Sequence, residues 1–415
     1  MKEVALPRDW QRVPIVDLCD QHVDCVNRTA PVVDEPTPFK MLRTTNVRNG
    51  FIDTQNVRYV TEATYRKWTR RLVPRRGDVI LTREAPLGDV GKIRSDETVF
   101  LGQRLYHFRP DPEKLNSDFL LYSLLGEDLQ AQIKGFGSGS TVEHMRLQDV
   151  PSLKVNLPPL CVQRRIGGIL STYDELIENG HRRIKILESM ARALYREWFV
   201  HFRFPGHESH PRIASPLGEI PKGWKVQKLA EVAEVNRAQI GARAAPEELH
   251  YIDISSVSPG RIDAVTTYSF CDAPGRARRI VQHGDVLWSC VRPNRRSHVQ
   301  IMHPAENTIA STGFAVLTAT KIPFTFLYLA TTTDDFVGYL TNNATGAAYP
   351  AVTAATFEKA DLPIPPALLL EAFSETATPM AEQIHALQCQ IENLRGTRDL
   401  LLPRLLSGQI AIQEN

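Results

Sequence analysis

The glycine-rich segment at 135–139 is the first candidate for chemistry, because closely spaced glycines let backbone amides approach a phosphate. It reads Gly-Phe-Gly-Ser-Gly, without the Gly-Lys-Ser/Thr ending of an ATP-binding loop and without a strand-then-helix unit followed by an acidic residue. The Asn/Asp-Pro-Pro-Tyr/Phe motif of amino-methyltransferases is also missing from the sequence. No carboxylate pair or histidine–aspartate pair has a spacing that indicates catalysis. The sequence therefore predicts a protein without catalytic or cofactor-binding residues of its own.

The six cysteines are the next candidates, as metal ligands or disulfide partners. They contain no Cys-x-x-Cys pair, and no histidine pattern accompanies them at zinc-ligand spacing. Scattered cysteines of this kind are typical of reduced, half-buried thiols. We therefore predict neither a disulfide framework nor a metal site. The six positions are Cys19, Cys25, Cys161, Cys271, Cys290 and Cys389.

Arginine and lysine concentrate in two short segments of a 415-residue chain whose formal net charge is only +2. Residues 66–83 carry seven basic residues against Asp78, and residues 276–296 carry six against Asp285. One basic segment can be an ordinary solvated surface. Two of them at separate places indicate two sites where a polyanion could bind.

The chain contains a long internal repeat. The motif Gly-Asp-Val at 77–79 recurs 207 residues later at 284–286, and the prolines at 158–159 recur at 365–366. Near the start, Pro7 and Trp10 recur as Pro221 and Trp224, now 214 residues later. Repeated motifs at a nearly constant shift predict a duplicated domain.

The strongest part of the repeat has the apolar spacing of a coiled coil. Six apolar residues step by fours, threes and sevens, and the residue 207 positions after each of them is also apolar. Because neither helix can bury its apolar stripe alone, we expect the two helices to pack antiparallel on each other. The residues of this seam are Tyr173, Ile177, Ile184, Leu187, Leu194, Trp198, Met380, Ile384, Ile391, Leu394, Leu401 and Leu405.

Prolines set the expected limits of these helices, because proline removes a backbone donor. The first helix is predicted over 162–199, a length of roughly 57 Å, with an interruption near 179–180. The second is predicted over 368–406, broken or kinked by Pro379 and Pro403.

Each helix follows a region that mixes short strand-like and helical segments. The strands are predicted at 41–47, 79–82, 251–257, 299–302 and 314–317, and the helices at 119–133 and 324–340. The fold class is therefore mixed α/β: two α/β domains separated by two long helices, related by an internal pseudo-two-fold repeat. The predicted segments are 1–156, 157–206, 207–363 and 364–415. No apolar stretch is long enough to cross a membrane, which favours a cytoplasmic protein without a membrane partner.

Several motifs around the helices resemble one known family, the DNA specificity subunits of type I restriction-modification systems. They are Leu-Pro-Pro-Leu at 157–160, Gln-Arg-Arg-Ile at 163–166, Asp-Glu-Leu-Ile-Glu-Asn at 174–179, the run 190–199, the ending 402–408 and Gly-Ser-Thr at 139–141. The resemblance covers the whole chain and is strongest in the helices. The second copy departs from it, because 367–373 lacks the Gln-Arg-Arg-Ile run and Gly-Ala-Ala at 346–348 replaces Gly-Ser-Thr.

The resemblance implies a non-catalytic DNA-recognition subunit with two target-recognition domains, each reading one half of a bipartite site. The helices would act as a spacer and as the docking site for methyltransferase subunits, two of them by expectation. Restriction subunits would join where the cell has them. S-adenosylmethionine, ATP and Mg would be bound by these partners and not by this chain.

Candidate DNA-contacting residues lie after the repeated Gly-Asp-Val strand and in the glycine-rich loops. Arginine suits the paired acceptors of guanine, asparagine and glutamine suit adenine, and small polar loops let amides approach phosphates. The candidates are Arg43, Asn46, Arg83, Gln103, Arg104, Ser138, Ser140, Arg292, Asn294, Arg295, Arg296 and Tyr349.

A second interpretation stays open, in which the chain is a coiled-coil adaptor or scaffold without a DNA role. The helices alone permit it. The two arginine-rich segments beside the same repeated strand favour double-stranded DNA as the partner.

Overall fold

The structure is a computed structural model that describes residues 7–137, 143–241 and 246–412. These residues form two compact units. The first unit holds the chain up to Asn179 together with the stretch from Ile391 onward, and the second holds Gly180–Gln390. Each unit therefore contains part of both long helices beside its own strands.

The first unit is built on two small sheets. The strands are β1 (Gln11–Pro14), β2 (Cys19–Asp24), β3 (Lys40–Leu42), β4 (Val47–Arg48), β5 (Phe51–Ile52), β6 (Arg58–Tyr59), β7 (Val79–Arg83), β8 (Leu87–Lys92), β9 (Val99–Leu101), β10 (Leu105–Pro110) and β11 (Lys154–Leu157). The helices are α1 (Glu62–Trp68), α2 (Ser117–Leu125) and α3 (Glu127–Gly135). One antiparallel sheet has the order β2-β10-β7-β8, and the other has the order β6-β3-β9 with β3 and β9 parallel. Strands β1 and β11 form a separate pair, as do β4 and β5.

The first long helix, α4, spans Leu160–Tyr195 and ends in a π-helical turn at Arg196–Val200. The strands that follow are β12 (Arg212–Ser215), β13 (Gly218–Pro221), β14 (Lys225–Lys228), β15 (Ala233–Val235), β16 (Glu248–Ile252), β17 (Val257–Ser258), β18 (Arg261–Ile262), β19 (Thr266–Ser269), β20 (Ala277–Ile280), β21 (Val286–Ser289), β22 (His298–Gln300), β23 (Thr308–Ser311), β24 (Phe314–Ala319) and β25 (Asp361–Ile364). The helices are α5 (Leu229–Val232), α6 (Phe324–Thr331), α7 (Asp334–Asn342), α8 (Ala354–Glu358) and the second long helix α9 (Ala367–Leu406).

The second unit repeats the topology of the first. The sheet β15-β24-β21-β22 corresponds to β2-β10-β7-β8, and the parallel pair β16 and β23 corresponds to β3 and β9. Helices α6 and α7 begin 207 residues after α2 and α3. The second unit adds strand β20 and the hairpin of β12 and β13. This arrangement confirms the predicted mixed α/β class and the internal repeat.

The apolar seam of the long helices is confirmed, since all twelve predicted seam residues are buried or half-buried. In the first unit, Ile166 and Leu170 of α4 share a core with Leu405 of α9. In the second unit, the ring of Tyr195 lies 6.2 Å from the ring of Phe373, in a core that also contains aromatic residues of α6. In the first unit, residues near the start of α4 meet residues near the end of α9, and Asp174 further along α4 meets Arg398 earlier in α9, so the two helices run antiparallel there.

The predicted breaks in the long helices are wrong, whereas a kink at Pro379 or Pro403 stays a prediction. Helix α4 continues through residues 179–180, and α9 continues through Pro379 and Pro403. A proline inside a helix costs about 3 kcal/mol. Apolar burial on both sides of Pro379, at Ala377 and Leu387, offsets that cost by packing.

Two of the predicted strands and both predicted short helices differ from the elements in the structure. The strands expected at 41–47 and 251–257 each end early and continue as a 3-10 turn, at Thr44–Asn46 and Ile254–Ser256. The helices expected at 119–133 and 324–340 are each split in two. In the first unit the split falls at Gly126, where an added Cβ would lie 2.7 Å from the side chain of Leu406.

None of the helices in the described part of the chain combines the length and apolar character that crossing a bilayer requires.

The repeated Gly-Asp motif is a turn that starts the central strand of each main sheet. Gly77 and Gly284 have φ of +94° and +87°, a left-handed conformation that favours glycine. The following carboxylates accept a backbone hydrogen bond from three residues earlier, Asp78 from Arg75 N and Asp285 from Gln282 N, both at 2.8 Å. The motif is repeated because both units need this turn to begin β7 and β21.

Candidate nucleic-acid interface

The loops that follow β7 and β21 occupy the same place in the two units. Ala85 and Arg292 are 207 residues apart, both have φ of +51°, and each precedes a proline. An isolated antiparallel bridge holds each loop, from position 84 to 144 in the first unit and from 291 to 351 in the second. The start of this loop is therefore part of the repeat, whereas its continuation differs: the first loop enters β8 at Leu87, and the second forms a 3-10 turn at Pro293–Arg295.

In the first unit the loop brings together candidates that are distant in sequence. The backbone N–H of Arg83 donates to Arg104 O at 2.8 Å, and Nη1 of Arg83 donates to Met145 O at 2.9 Å. Glu84 lies 3.4 Å from a guanidinium nitrogen of Arg104. Gln103 is next to this pair and accepts a long hydrogen bond from Thr29.

These residues surround an open groove of about 550 Å³. Its lining is Asn27, Arg83, Glu84, Gln103, Arg104, Arg146, Leu147 and Gln148. Three arginines and one glutamate make the groove positive, and its amide side chains offer both donors and acceptors. Sequence reasoning missed Asn27, Arg146 and Gln148, because they reach the groove from separate segments and carry no local motif.

Arg43 and Asn46 belong to the 3-10 turn after β3, which approaches the same loop. Thr44 Oγ1 donates to Ala85 O at 2.7 Å. Asn46 is buried: its Oδ1 accepts from Arg43 N and its Nδ2 donates to Asn56 O, both at 2.9 Å. Its amide is thus used inside the turn, where it positions Arg43.

Two arginines of this region carry a buried Nε without a hydrogen-bond partner among the described residues, Arg43 and Arg83. A buried donor without an acceptor is costly, by roughly 1–3 kcal/mol. An acceptor brought by a ligand would remove that cost. The candidates Ser138 and Ser140 lie outside the described residues.

In the second unit, the corresponding loop pairs an arginine with an exposed aromatic ring. The guanidinium of Arg292 lies 4.5 Å from the ring centroid of Tyr349, and its Nη2 donates to Ala348 O at 3.2 Å. The side chain of Tyr349 is 69% exposed. The two candidates form one planar, cationic surface.

The three residues after Pro293 extend this surface. Asn294 and Arg295 are exposed. Arg296 has a positive φ of 56°, and its guanidinium pairs with Asp334 at the start of α7. Between the left-handed residues Arg292 and Arg296, Pro293 is buried while Asn294 and Arg295 are exposed. The loop and Tyr349 thus bring the five candidates of this unit into one region.

Equivalent positions of the two units carry different chemistry. Cys290 stands where Arg83 stands in the first unit, 207 residues earlier. Asp253 corresponds to Arg43 at the start of the 3-10 turn, and its carboxylate accepts from Ser255 N at 2.9 Å. The two faces therefore start from equivalent backbone positions and differ in charge and in hydrogen-bonding groups.

The comparison with known proteins agrees with this geometry. The family model described as "Type I restriction modification DNA specificity domain" matches residues 7–189 and 221–368. The chain is 24% identical over 372 residues to the type I restriction enzyme MjaIX specificity subunit of Methanocaldococcus jannaschii, covering 86% of this chain and 83% of that protein. It is 22% identical to the MjaVIII specificity subunit of the same organism, covering 100% and 96%.

A solved structure has the same fold. The type I restriction-modification S subunit from M. genitalium superposes with a TM-score of 0.62 at 15% identity, covering 98% of this chain and 97% of that one. The family match extends over most of the chain and falls on both copies of the repeat. The chain therefore belongs to the family of type I restriction-modification DNA specificity subunits.

Proposed function

We propose that this chain recognises a bipartite DNA sequence, with the domain at 1–156 reading one half-site and the domain at 207–363 reading the other. The observation that carries the proposal is the pair of equivalent loops after β7 and β21, which begin with the same backbone turn and the same bridge and then differ in conformation and in side chains. A shared loop places both domains against DNA in the same way. Different side chains at its tip read different bases.

The DNA-contacting residues of this proposal are the candidates described above. In the first domain, Arg83, Gln103 and Arg104 line the positive groove, and Arg43 precedes the turn whose Thr44 contacts Ala85. In the second, the loop 292–296 and Tyr349 form the contact surface. Arginine guanidinium groups would pair with guanine or phosphate, and the Tyr349 ring would pack against the sugar or base.

The long helices would hold the two half-sites apart. Helix α4 has 36 residues and α9 has 40, which correspond to lengths of about 54 and 60 Å. Half-sites one turn of DNA apart are separated by about 34–36 Å. The helices are therefore long enough to hold two half-sites one turn of DNA apart.

The same helices would bind the methyltransferase subunits, two of them by symmetry of the repeat. Exposed apolar side chains lie along both helices, among them Leu176, Ile186 and Met190 of α4 and Leu368 and Leu400 of α9. Such residues favour a protein partner. Catalysis would then belong to the partners, with their S-adenosylmethionine, ATP and Mg, and the complex would act on DNA in the cytoplasm.

The test is single-molecule sequencing of methylated adenine in cells that express this chain with its methyltransferase subunit. We expect one bipartite motif with a fixed spacer, which disappears when the chain is deleted. If deletion changes no methylation motif while the methyltransferase is active, the proposal fails. The adaptor interpretation would then be preferred, and the absence of salt-dependent DNA binding would agree with it.

A further inference from the structure

A cluster of histidine and glutamate side chains lies in the second unit, away from the loop 292–296. His283 precedes the turn into β21, His303 follows β22, and Glu382 lies on α9. Nε2 of His303 is 2.8 Å from one carboxylate oxygen of Glu382, and Nε2 of His283 is 3.9 Å from the other. One ligand atom from each of the three residues lies within 4.8 Å of the others.

We propose that this cluster binds a divalent transition-metal ion of the zinc class. Imidazole nitrogen and carboxylate oxygen are preferred zinc ligands, with bonds of about 2.0–2.2 Å. A tetrahedral site with such bonds places its ligand atoms about 3.3 Å apart. The distances of 2.8 and 3.9 Å lie on either side of that value, so small side-chain rotations would complete the geometry.

Helix α9 offers two further ligands on the same face. Glu382, His385 and Cys389 are spaced i, i+3 and i+7, which places them along one side of a helix. The ring of His385 lies 5.4 Å from the ring of His303, and Sγ of Cys389 lies 3.6 Å from Nε2 of His385. A fourth ligand is therefore within reach, and its imidazole or thiolate chemistry again suits zinc.

The backbone at the cluster is shaped around these rings. His303 has φ of +44°, a left-handed conformation that is uncommon for residues other than glycine. The backbone N–H of His303 donates to Nδ1 of His283 at 3.2 Å, and this hydrogen bond orients the His283 ring. With Nδ1 accepting, the neutral His283 ring carries its proton on Nε2. To bind a metal through Nε2, the His283 ring would have to move this proton to Nδ1 or turn over. Because His303 and Glu382 need no such change, they are the stronger ligands.

In the first unit, an ion pair links the loop after β8, the strand equivalent to β22, to a long helix. Arg94, two residues after β8, lies 3.4 Å from Asp174 of α4. His303, three residues after the equivalent strand β22, meets Glu382 of α9. Both units thus link the loop after this strand to a long helix, the first with an ion pair and the second with metal-ligating groups. The metal would act as a structural link between the second domain and α9.

The ion also has access to the cluster. His283 and His303 line an open pocket of about 950 Å³ at the surface of the second unit. All three residues retain solvent exposure, so substituting them does not disturb a core.

The experiment is metal binding by the full chain after treatment with a chelator, in the absence of DNA. We expect Co²⁺ to give the intense visible absorption of tetrahedral coordination at one equivalent, and Zn²⁺ to displace it. His303→Ala and Glu382→Gln should each weaken Zn²⁺ binding by at least tenfold, since even the loss of a group behind a ligand costs about 10–100-fold. His250→Ala, which removes another histidine of the same unit, should bind Zn²⁺ like the unmodified chain.

Absence of a saturable tetrahedral Co²⁺ signal would overturn the proposal. So would Zn²⁺ affinity that is equal in His303→Ala, Glu382→Gln and the unmodified chain, or affinity that is lost only when the exposed thiols of Cys161 and Cys271 are replaced. A melting temperature that rises with Zn²⁺ in the unmodified chain and in neither cluster variant would support it further. None of these readouts depends on DNA recognition.

Discussion

At the scale of single residues, the aspartates of the two Gly-Asp turns have different hydrogen-bond partners, and their pKa values shift in opposite directions. Asp78 accepts two hydrogen bonds from Arg109, at 2.9 and 2.7 Å, and contacts Nε2 of His107 at 2.6 Å. Burial raises the pKa of Asp78, but the hydrogen bonds from Arg109 and His107 outweigh it and hold the pKa below its usual value. Asp285 has Thr318 in place of a cation, and burial raises its pKa.

Substitution by asparagine should therefore have unequal effects at the two positions. Asp78→Asn leaves Arg109 buried beside a neutral group, and we expect the free energy of unfolding of the first unit to fall by about 3 kcal/mol. Asp285→Asn removes a carboxylate that is disfavoured when charged, and we expect a change within about 1 kcal/mol. Hydrogen exchange of the amides of β7 and β21 measures each unit separately. Equal loss of protection in both strands would contradict the prediction.

The same comparison fixes the sign of the pH dependence. The pKa of Asp78 is lower in the folded chain than the unfolded value of 3.8, so its stabilisation is present above that value and is lost as pH falls through the folded pKa. The pKa of Asp285 is raised, so its contribution is present below 3.8 and lost as pH rises through the folded pKa. On acidification, protonation of Asp78 should therefore reduce the hydrogen-exchange protection of the β7 amides more than protonation of Asp285 reduces that of the β21 amides.

Arg295 is the residue whose substitution tests base reading most directly, because its side chain is exposed at the tip of the second loop. If it makes a bidentate contact to guanine, Arg295→Ala should weaken specific DNA binding by about 1–3 kcal/mol and leave stability unchanged. Binding of the assembled complex to its target duplex is the measurement. Lys321→Ala is the matched control, since Lys321 is exposed just beyond the opposite end of β24. Unchanged affinity and site preference would remove Arg295 from the interface.

At the scale of elements, Asp174 joins three parts of the first unit. Its carboxylate is 1% exposed and accepts hydrogen bonds from Tyr122 Oη and from Arg398 Nη1 of α9, both at 2.6 Å. A longer contact of 3.4 Å reaches Arg94. Burial raises the pKa of Tyr122, as do the charge of Asp174 and the hydrogen bond to it, and the hydroxyl therefore stays the donor.

Removal of this charge should loosen the helix pair in the first unit. Asp174→Asn leaves Arg398 without its buried partner, and we expect a loss of about 3 kcal/mol. Hydrogen exchange of the last turns of α9 reports the change. Glu175→Gln is the control, because the neighbouring carboxylate is exposed. If both variants exchange alike, the buried ion pair does not hold these helices together.

The long helices also show where element prediction from sequence succeeds and fails. The seam was predictable because its apolar spacing is a local property that repeats along the chain. Continuity through Pro379 and Pro403 was not, because it depends on burial supplied by residues distant in sequence. Likewise, the turn at Thr44–Asn46 ends a strand-like run because the Asn46 amide bonds the backbone of Arg43 and Asn56.

At the scale of the whole molecule, the repeat predicts that the two half-sites are read independently. Arg104→Ala should change or weaken one half of the methylated motif, and Arg295→Ala the other half. The spacer should stay the same in both, because neither substitution lies in a long helix. Sequencing of methylated adenine in cells carrying each variant is the measurement. A change in both halves from one substitution would show that the domains do not act separately.

The amino-acid sequence was enough to predict the duplication, the mixed α/β class with its two long helices, and the family, and it supplied candidate segments for DNA contact. These features are carried by motifs and spacings that lie within short stretches or recur at a constant shift. The three-dimensional fold established which residues of those segments meet. It placed Asn46 inside a turn, put Arg146 and Gln148 beside Arg83, and gathered His283, His303 and Glu382 from three separate elements. Contacts between distant segments depend on sheet register and helix packing, and no local pattern records them.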